Sequence, residues 1–291
     1  MDGNILIDRN ILIVSHSKRI RKLLYDYFIN FDIKKRFKNC SILLIKFNKL
    51  TNKTEIKLIY NGELDKNENR SEKNYYDTET FNNLNLYSDK LIVPENINIF
   101  LIRHAQGYHN YNNTIYRKVK DYFEQKSLKD PQLTETGIKQ AQKCGVFLND
   151  FFKIHNIDKT KFTLYCSILL RTRETINNIL DEISIFDDIY ILPCSHEINS
   201  IVIPEIPISK TGRCTSNPAD RILYQCDYVF SKDHKPRNII WDYYKEFKNN
   251  NVCKNTNMIY ESYIIYAKLK ITDKEYGEQY VDELKKKLKI Y

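Results

Sequence analysis

The chain is 291 residues long, enough for one large domain or two small ones with a real core, and its 42% hydrophobic and 13% aromatic content excludes a disordered chain. Its 46 Lys and Arg against 37 Asp and Glu leave +9, which favours anionic partners such as nucleic acid, phosphorylated small molecules or acidic membrane, although AT-rich coding alone yields a similar Asn-, Ile-, Lys- and Tyr-heavy balance. No apolar run approaches the ~18 residues of a membrane span, and the seven Cys include no C-x-x-C pair, so the expectation is a cytoplasmic protein with reduced thiols and no secretory signal.

In chain order, residues 10–14 (NILIV) are a continuous apolar run, the pattern of a strand buried on both faces. Ser15-His16-Ser17 ends it, and Ile20, Leu23, Leu24, Tyr27 and Phe28 then recur at helical spacing. Residues 41–47 and 55–60 read as two strands joined by a polar turn, the second stopped by Asn61-Gly62. Residues 61–96, rich in Asn, Glu, Lys, Asp and Ser without a sustained period, read as a solvated connector, mostly loop. Residues 97–102 are a strand ending at Arg103-His104. Thr134 suits an N-cap for a helix whose apolar face is Ile138, Ala141, Gly145, Leu148 and Phe152. Residues 162–166 are a further strand. Arg171 then stands at the mouth of a helix carrying Ile176, Ile179, Leu180 and Ile183, and residues 189–192 form a strand closed by Pro193. Residues 203–240 read as long surface excursions, and 275–291 as a charged amphipathic helix.

Strands alternating with helices imply a three-layer α/β/α fold with a mainly parallel sheet plus an antiparallel edge hairpin. Ligands of such sheets bind beyond the carboxyl ends of the strands. Four predicted strand ends offer His16, Arg103-His104, Ser167 to Arg171, and Cys194 to Glu197. Two guanidinium groups match a phosphate bidentately and keep their charge. A neutral imidazole, which neighbouring Arg favours, is a competent nucleophile. A carboxyl group nearby can protonate a departing oxygen, help worth ~100- to 10,000-fold. The set suits phosphoryl transfer through a phosphohistidine, with no metal and no other cofactor.

Three stretches carry a resemblance. Phe100-Leu101-Ile102-Arg103-His104-Ala105-Gln106-Gly107-Tyr108-His109-Asn110 resembles the R-H-G signature of the histidine phosphatase superfamily, the phosphoglycerate-mutase-like enzymes, with Ala105 in place of the usual Gly. Asp130-Pro131-Gln132-Leu133-Thr134-Glu135-Thr136-Gly137, with Gln140-Ala141, resembles the family's D-P-x-L-T-x-x-G-x-x-Q-A helix start. Ser167-Ile168-Leu169-Leu170-Arg171-Thr172-Arg173-Glu174-Thr175 resembles its S-x-L-x-R-T-x-x-T segment. The family's second histidine normally lies near the C-terminus, in a strand ending V-S-H. Here the matching segment is Ile11-Leu12-Ile13-Val14-Ser15-His16-Ser17, at the front. The resemblance therefore implies a circularly permuted single domain. Residues 1–60 are the displaced strand, helix and hairpin, 61–96 the connector, and 97–291 the main part, with a specificity insertion at about 198–255.

Residue by residue, the resemblance makes His104 the nucleophile and has Arg103, Arg171 and His16 hold the non-bridging oxygens. Asn110 and the backbone N–H of Ser17 join the phosphate cradle. Glu197 is the acid, with Glu205 in reserve. The implied reaction is hydrolysis of a phosphomonoester, on a phosphorylated small molecule or a phosphoprotein. Residues 198–245 supply Lys210, Arg213, Arg221, Lys232, Lys235 and Arg237 but no adjacent Arg pair, which favours a phosphatase over a mutase. A non-catalytic phosphate-binding scaffold and a basic nucleic-acid-binding protein are the rivals from other classes. Cys166 and Arg171 are one residue too close for the C-x5-R of a cysteine phosphatase, and Cys214, Cys226, Cys253 and His234 match no standard zinc spacing.

Overall fold

The computed structural model describes residues 9–28, 31, 35–51, 53–64, 72–88, 96–107, 110, 132–167, 169–192, 195, 228–230, 232–233 and 235–240. In chain order the first elements are strand β1 (Arg9–Ser15), helix α1 (Ser17–Tyr27), strands β2 (Ile42–Asn48) and β3 (Lys53–Tyr60), the short helix α2 (Thr78–Asn82), and strands β4 (Tyr87–Ser88) and β5 (Ile97–Arg103). Helix α3 (Glu135–Ile154), strand β6 (Phe162–Cys166), helix α4 (Leu170–Ile183) and strands β7 (Ile189–Ile191), β8 (Tyr228–Phe230) and β9 (Pro236–Ile240) follow.

The strands form one sheet in the order β4-β3-β2-β5-β1-β6-β7-β9-β8. The central five, β5-β1-β6-β7-β9, pair in parallel. β2, β3 and β4 continue antiparallel at one edge, and β8 pairs antiparallel at the other. The chain thus has the α/β architecture of the sequence reading, with antiparallel strands at both edges rather than one.

Alternation along the strands divides the core into two layers. On β1, Leu12 and Val14 join Phe100, Ile102, Leu164 and Cys166 under α3 and α4. Ile11 and Ile13 join Ile99, Leu101, Leu43 and Ile45 under α1, with Ile20, Leu23 and Leu24. Side chains on a strand point alternately to opposite faces, so a run apolar at every position needs cover on both sides. Each such side chain taken out of water contributes about 1.5–3 kcal/mol. On α3 the buried face is Gly137, Gln140, Ala141, Cys144, Gly145, Leu148 and Phe152; Ile138, expected on that face, is 38% exposed. Gly145 lets α4 approach: a Cβ there would lie 2.8 Å from the Ile179 carbonyl oxygen.

Two expectations change. Within residues 61–96, expected as mostly loop, the stretch from Glu72 to Ser88 forms a 3-10 turn, α2 and β4. Tyr76, Phe81 and Leu86 of that stretch are buried with Phe31 and Phe37 beneath the sheet face that α1 covers. A few aromatics in a polar sequence suffice to anchor it, and Asp77 caps α2 by accepting from the Thr80 N–H. Within residues 203–240, expected as surface excursion, β9 lies in parallel on β7. Arg237 is fully buried there, 2.7 Å from Asp181, and donates to Asn177 and to the Ile185 carbonyl. Among the described residues no helix is long and apolar enough to cross a membrane. The predicted helix at 275–291 and the larger part of the insertion lie outside the described residues.

Candidate active site

The strands β5, β1, β6 and β7 are parallel neighbours, so their carboxyl ends open at one edge of the sheet. Backbone bonds continue across that edge. His104 N–H donates to Ser15 O at 2.9 Å, Ser167 N–H to Val14 O at 3.1 Å, and Leu192 N–H to Cys166 O at 2.8 Å. Ser15 Oγ donates to Ser195 O at 2.9 Å. The segments leaving four strands are therefore fixed against one another before any side chain meets a ligand.

Two imidazoles and one guanidinium converge there. The rings of His16 and His104 stand 5.0 Å apart, centre to centre. Arg171 lies between them in hydrogen-bonding terms: its Nε is 3.4 Å from His104 Nε2 and its Nη2 3.4 Å from His16 Nδ1. All three side chains are buried. A guanidinium only donates, so both ring nitrogens facing it carry lone pairs. Each ring's other nitrogen has its own partner. His104 Nδ1 is 2.7 Å from Ala105 O, a carbonyl that only accepts, so Nδ1 carries the proton. His16 Nε2 is 2.9 Å from Ser167 Oγ and, with Nδ1 bare, donates to it. These tautomers follow from the hydrogen-bond network. They leave His104 Nε2 as an unprotonated, inward-facing nitrogen.

The loop bearing His104 is held from two sides. Ala105 N–H donates to Thr175 Oγ1 at 3.0 Å, and that hydroxyl donates to Arg171 O at 2.6 Å, which ties the loop to the first turn of α4. Gln106 N–H donates to Gln140 Oε1, and Thr134, the N-cap of α3, donates from Oγ1 to Gln106 Oε1 at 2.7 Å. Gly137 completes this contact, since a Cβ there would meet Gln106 O at 2.1 Å. Residues 134–141 thus clamp the loop after His104.

The remaining predicted residues divide. Arg103 is buried at the end of β5, and its Nη1 donates to Phe37 O at 2.6 Å, so one of its donors is committed to backbone. Ser17 opens α1, with His16 as an extended N-cap that makes no side-chain cap bond, and Lys18 and Arg19 follow with no acid in the first turn. Such a helix start leaves its first N–H groups for an anion beside His16. Asn110 turns back on its own loop, accepting from Gly107 N–H at 3.4 Å. Glu197 and Glu205 lie outside the described residues, as do Cys214, Cys226, Cys253 and His234. Among the described residues no group of three His, Cys, Asp or Glu could hold a metal ion. Cys40, Cys144 and Cys166 are free thiols, and burial pushes Cys166 up to about 12.

Sequence reading gave no role to Ser167, Thr175 or Gly137. Ser167 and Thr175 stand in the S-x-L-x-R-T-x-x-T segment and Gly137 in the helix-start segment. Their spacing locates them, but the bonds they make cross between elements and leave no periodic trace.

Residues 99–201 match the family model of the histidine phosphatase superfamily (branch 1). No curated protein and no solved structure matches the chain.

Proposed function

We propose that the chain, whose residues 99–201 match the histidine phosphatase superfamily, hydrolyses a phosphomonoester through a phosphohistidine on His104. That likeness supports phosphoryl-transfer chemistry of the phosphatase or mutase type. The observation that supports a covalent route is the state of His104: Nδ1 is spent on Ala105 O, and Nε2 presents a lone pair beside Arg171 and His16.

Binding replaces the two long Arg171–imidazole bonds with bonds to phosphoryl oxygens, which a guanidinium prefers as charge-assisted partners. His104 Nε2 attacks phosphorus in line. The N–P bond forms as the ester P–O bond breaks, and the charge on the non-bridging oxygens is met by Arg171, Arg103, His16 and the α1 N-terminus. Glu197 gives its proton to the departing oxygen, with Glu205 as the substitute. Water, deprotonated by the same carboxylate, then attacks phosphorus, releasing inorganic phosphate and restoring Nε2. The absence of an Arg pair in residues 198–245 favours water over a second alcohol as the acceptor.

We also infer a single, circularly permuted domain. What supports it is that the family match begins at residue 99, while β1, from outside that match, lies between β5 and β6 and brings His16 to His104. The test of the reaction is hydrolysis of a generic aryl phosphate. Wild type is expected to turn it over, and His104→Ala to lose roughly 1,000-fold or more. Unchanged turnover in His104→Ala would remove the reading. Phosphate binding without turnover would favour a scaffold instead.

A further inference from the structure

We propose that Ser15 is the positioning residue that sets the proton donor against the nucleophile: its carbonyl holds the His104 loop, and its hydroxyl draws the chain after β7 toward the site. The inference rests on the phosphatase reading and deepens it by naming what places the acid.

Strands β1 and β7 are not neighbours, because β6 lies between them. At about 4.8 Å per strand their axes stand about 10 Å apart. Ser195 follows β7, yet its carbonyl oxygen is 2.9 Å from Ser15 Oγ on β1. The chain leaving β7 therefore turns across the carboxyl end of β6. That turn is tied down on the way. Leu192 N–H donates to the carbonyl of Cys166, the last residue of β6, at 2.8 Å. Ser195 gives Leu192 O both its N–H, at 3.0 Å, and its hydroxyl, at 2.7 Å. Ser15 and Ser195 are fully buried, where a carbonyl stripped of its donor is costly, so the bond between them fixes the direction of the chain.

The other half of Ser15 faces the nucleophile. Its carbonyl accepts from His104 N–H at 2.9 Å. One residue thus sets the spacing between the loop that bears His104 and the segment that sets out from Ser195. Glu197 is two residues beyond Ser195 in the sequence, and two residues reach at most about 7 Å. Glu205 is ten residues beyond, a reach of about 35 Å, so the tie constrains Glu197 and leaves Glu205 unconstrained.

The acid serves one step. The bond from His104 Nε2 to phosphorus forms, the ester P–O bond breaks, and the departing oxygen takes the carboxyl proton and leaves as an alcohol. A nitrophenolate departs without that proton, whereas a benzyl alkoxide does not. A displaced acid is therefore felt by a benzyl ester and hardly by a nitrophenyl ester.

The full-length protein is assayed on two probes of similar size, para-nitrophenyl phosphate and para-nitrobenzyl phosphate, and the ratio of their kcat/KM values is compared between variants. This ratio does not depend on how much of a variant is folded. Ser15→Ala should lower kcat/KM for the benzyl ester by roughly 10- to 100-fold and keep that for the phenyl ester within about threefold. Ser15→Thr, which keeps the hydroxyl, should restore the ratio. In a Glu197→Gln background Ser15→Ala should shift the ratio no further, since it acts through that carboxyl group. An unchanged ratio in Ser15→Ala, a further shift in the Glu197→Gln background, or a wild type that turns over the phenyl ester alone overturns the proposal and leaves the phosphatase reading standing. A wild type silent on both probes sinks the phosphatase reading and this proposal with it.

Discussion

His104 owes its two unlike nitrogens to its immediate backbone neighbour. Ala105 offers its carbonyl to Nδ1 and its N–H to Thr175, so one residue sets both the tautomer and the anchoring of the nucleophile. Thr175→Val keeps the shape and removes the hydroxyl. It should cost about 1–3 kcal/mol, because a buried N–H loses its acceptor. It should also lower kcat more than it raises KM, with Thr175→Ser restoring both. Steady-state kinetics and urea unfolding check this pair of effects. A second residue-scale consequence concerns alkali. Burial raises the Cys166 thiol from 9 to about 12, against a partial lowering by Arg173. A raised acid keeps its proton in the fold and loses it first in the unfolded chain. Stability from this group is therefore intact below about pH 9 and falls above it, by about 1.4 kcal/mol per pH unit until the folded value is reached. Urea midpoints at pH 8 and pH 10 should fall less in Cys166→Ala than in the wild type, and equal falls would contradict the assignment.

At the scale of elements, the start of α3 is the support on which the His104 loop rests. Gly137→Ala places a methyl into the Gln106 carbonyl, backbone against backbone, and neither side can yield cheaply. The variant should melt several degrees lower and lose activity, while Gly145→Ala, which meets α4 instead, should lower the melting point with less effect on kcat. Thr134→Ala removes the cap and the Gln106 tie at about 1 kcal/mol or more. Among the elements readable from sequence, β1 and β5 carry the apolar runs Ile11–Val14 and Ile99–Ile102, buried on both faces, and β6 breaks its run only at Thr163. The elements that escaped are held by a few long-range contacts. β9 begins with Pro236 and carries Arg237, which looks like a loop residue until Asp181 and Asn177 are brought beside it. α2 and β4 depend on Tyr76, Phe81 and Leu86 finding Phe31 and Phe37. The same holds at the site. His16, His104 and Arg171 are visible as polar residues at strand ends, whereas the roles of Ser167 and Thr175 come from His16 and Ala105, partners on other elements.

Across the whole molecule, the excess of +9 has a consequence for kinetics rather than for the fold. A cationic surface around a phosphate site raises the encounter rate with dianions, and salt screens it. The aryl phosphate kcat/KM should fall several-fold between roughly 50 and 500 mM salt, with kcat little changed; a salt-independent kcat/KM would mean that the charge lies away from the approach to the site. The sheet order β5-β1-β6 sets the larger dependence. Because β1 comes from the front of the chain and β5 and β6 from its middle, neither segment can make the two-imidazole site alone. The most direct measurement is to quench the enzyme during turnover of a phosphomonoester and identify the phosphorylated residue. A label that is acid-labile and base-stable, attached at His104 and missing from His104→Ala, is the predicted result. Turnover with no phosphoprotein, or with the phosphoryl group on any other side chain, would contradict it.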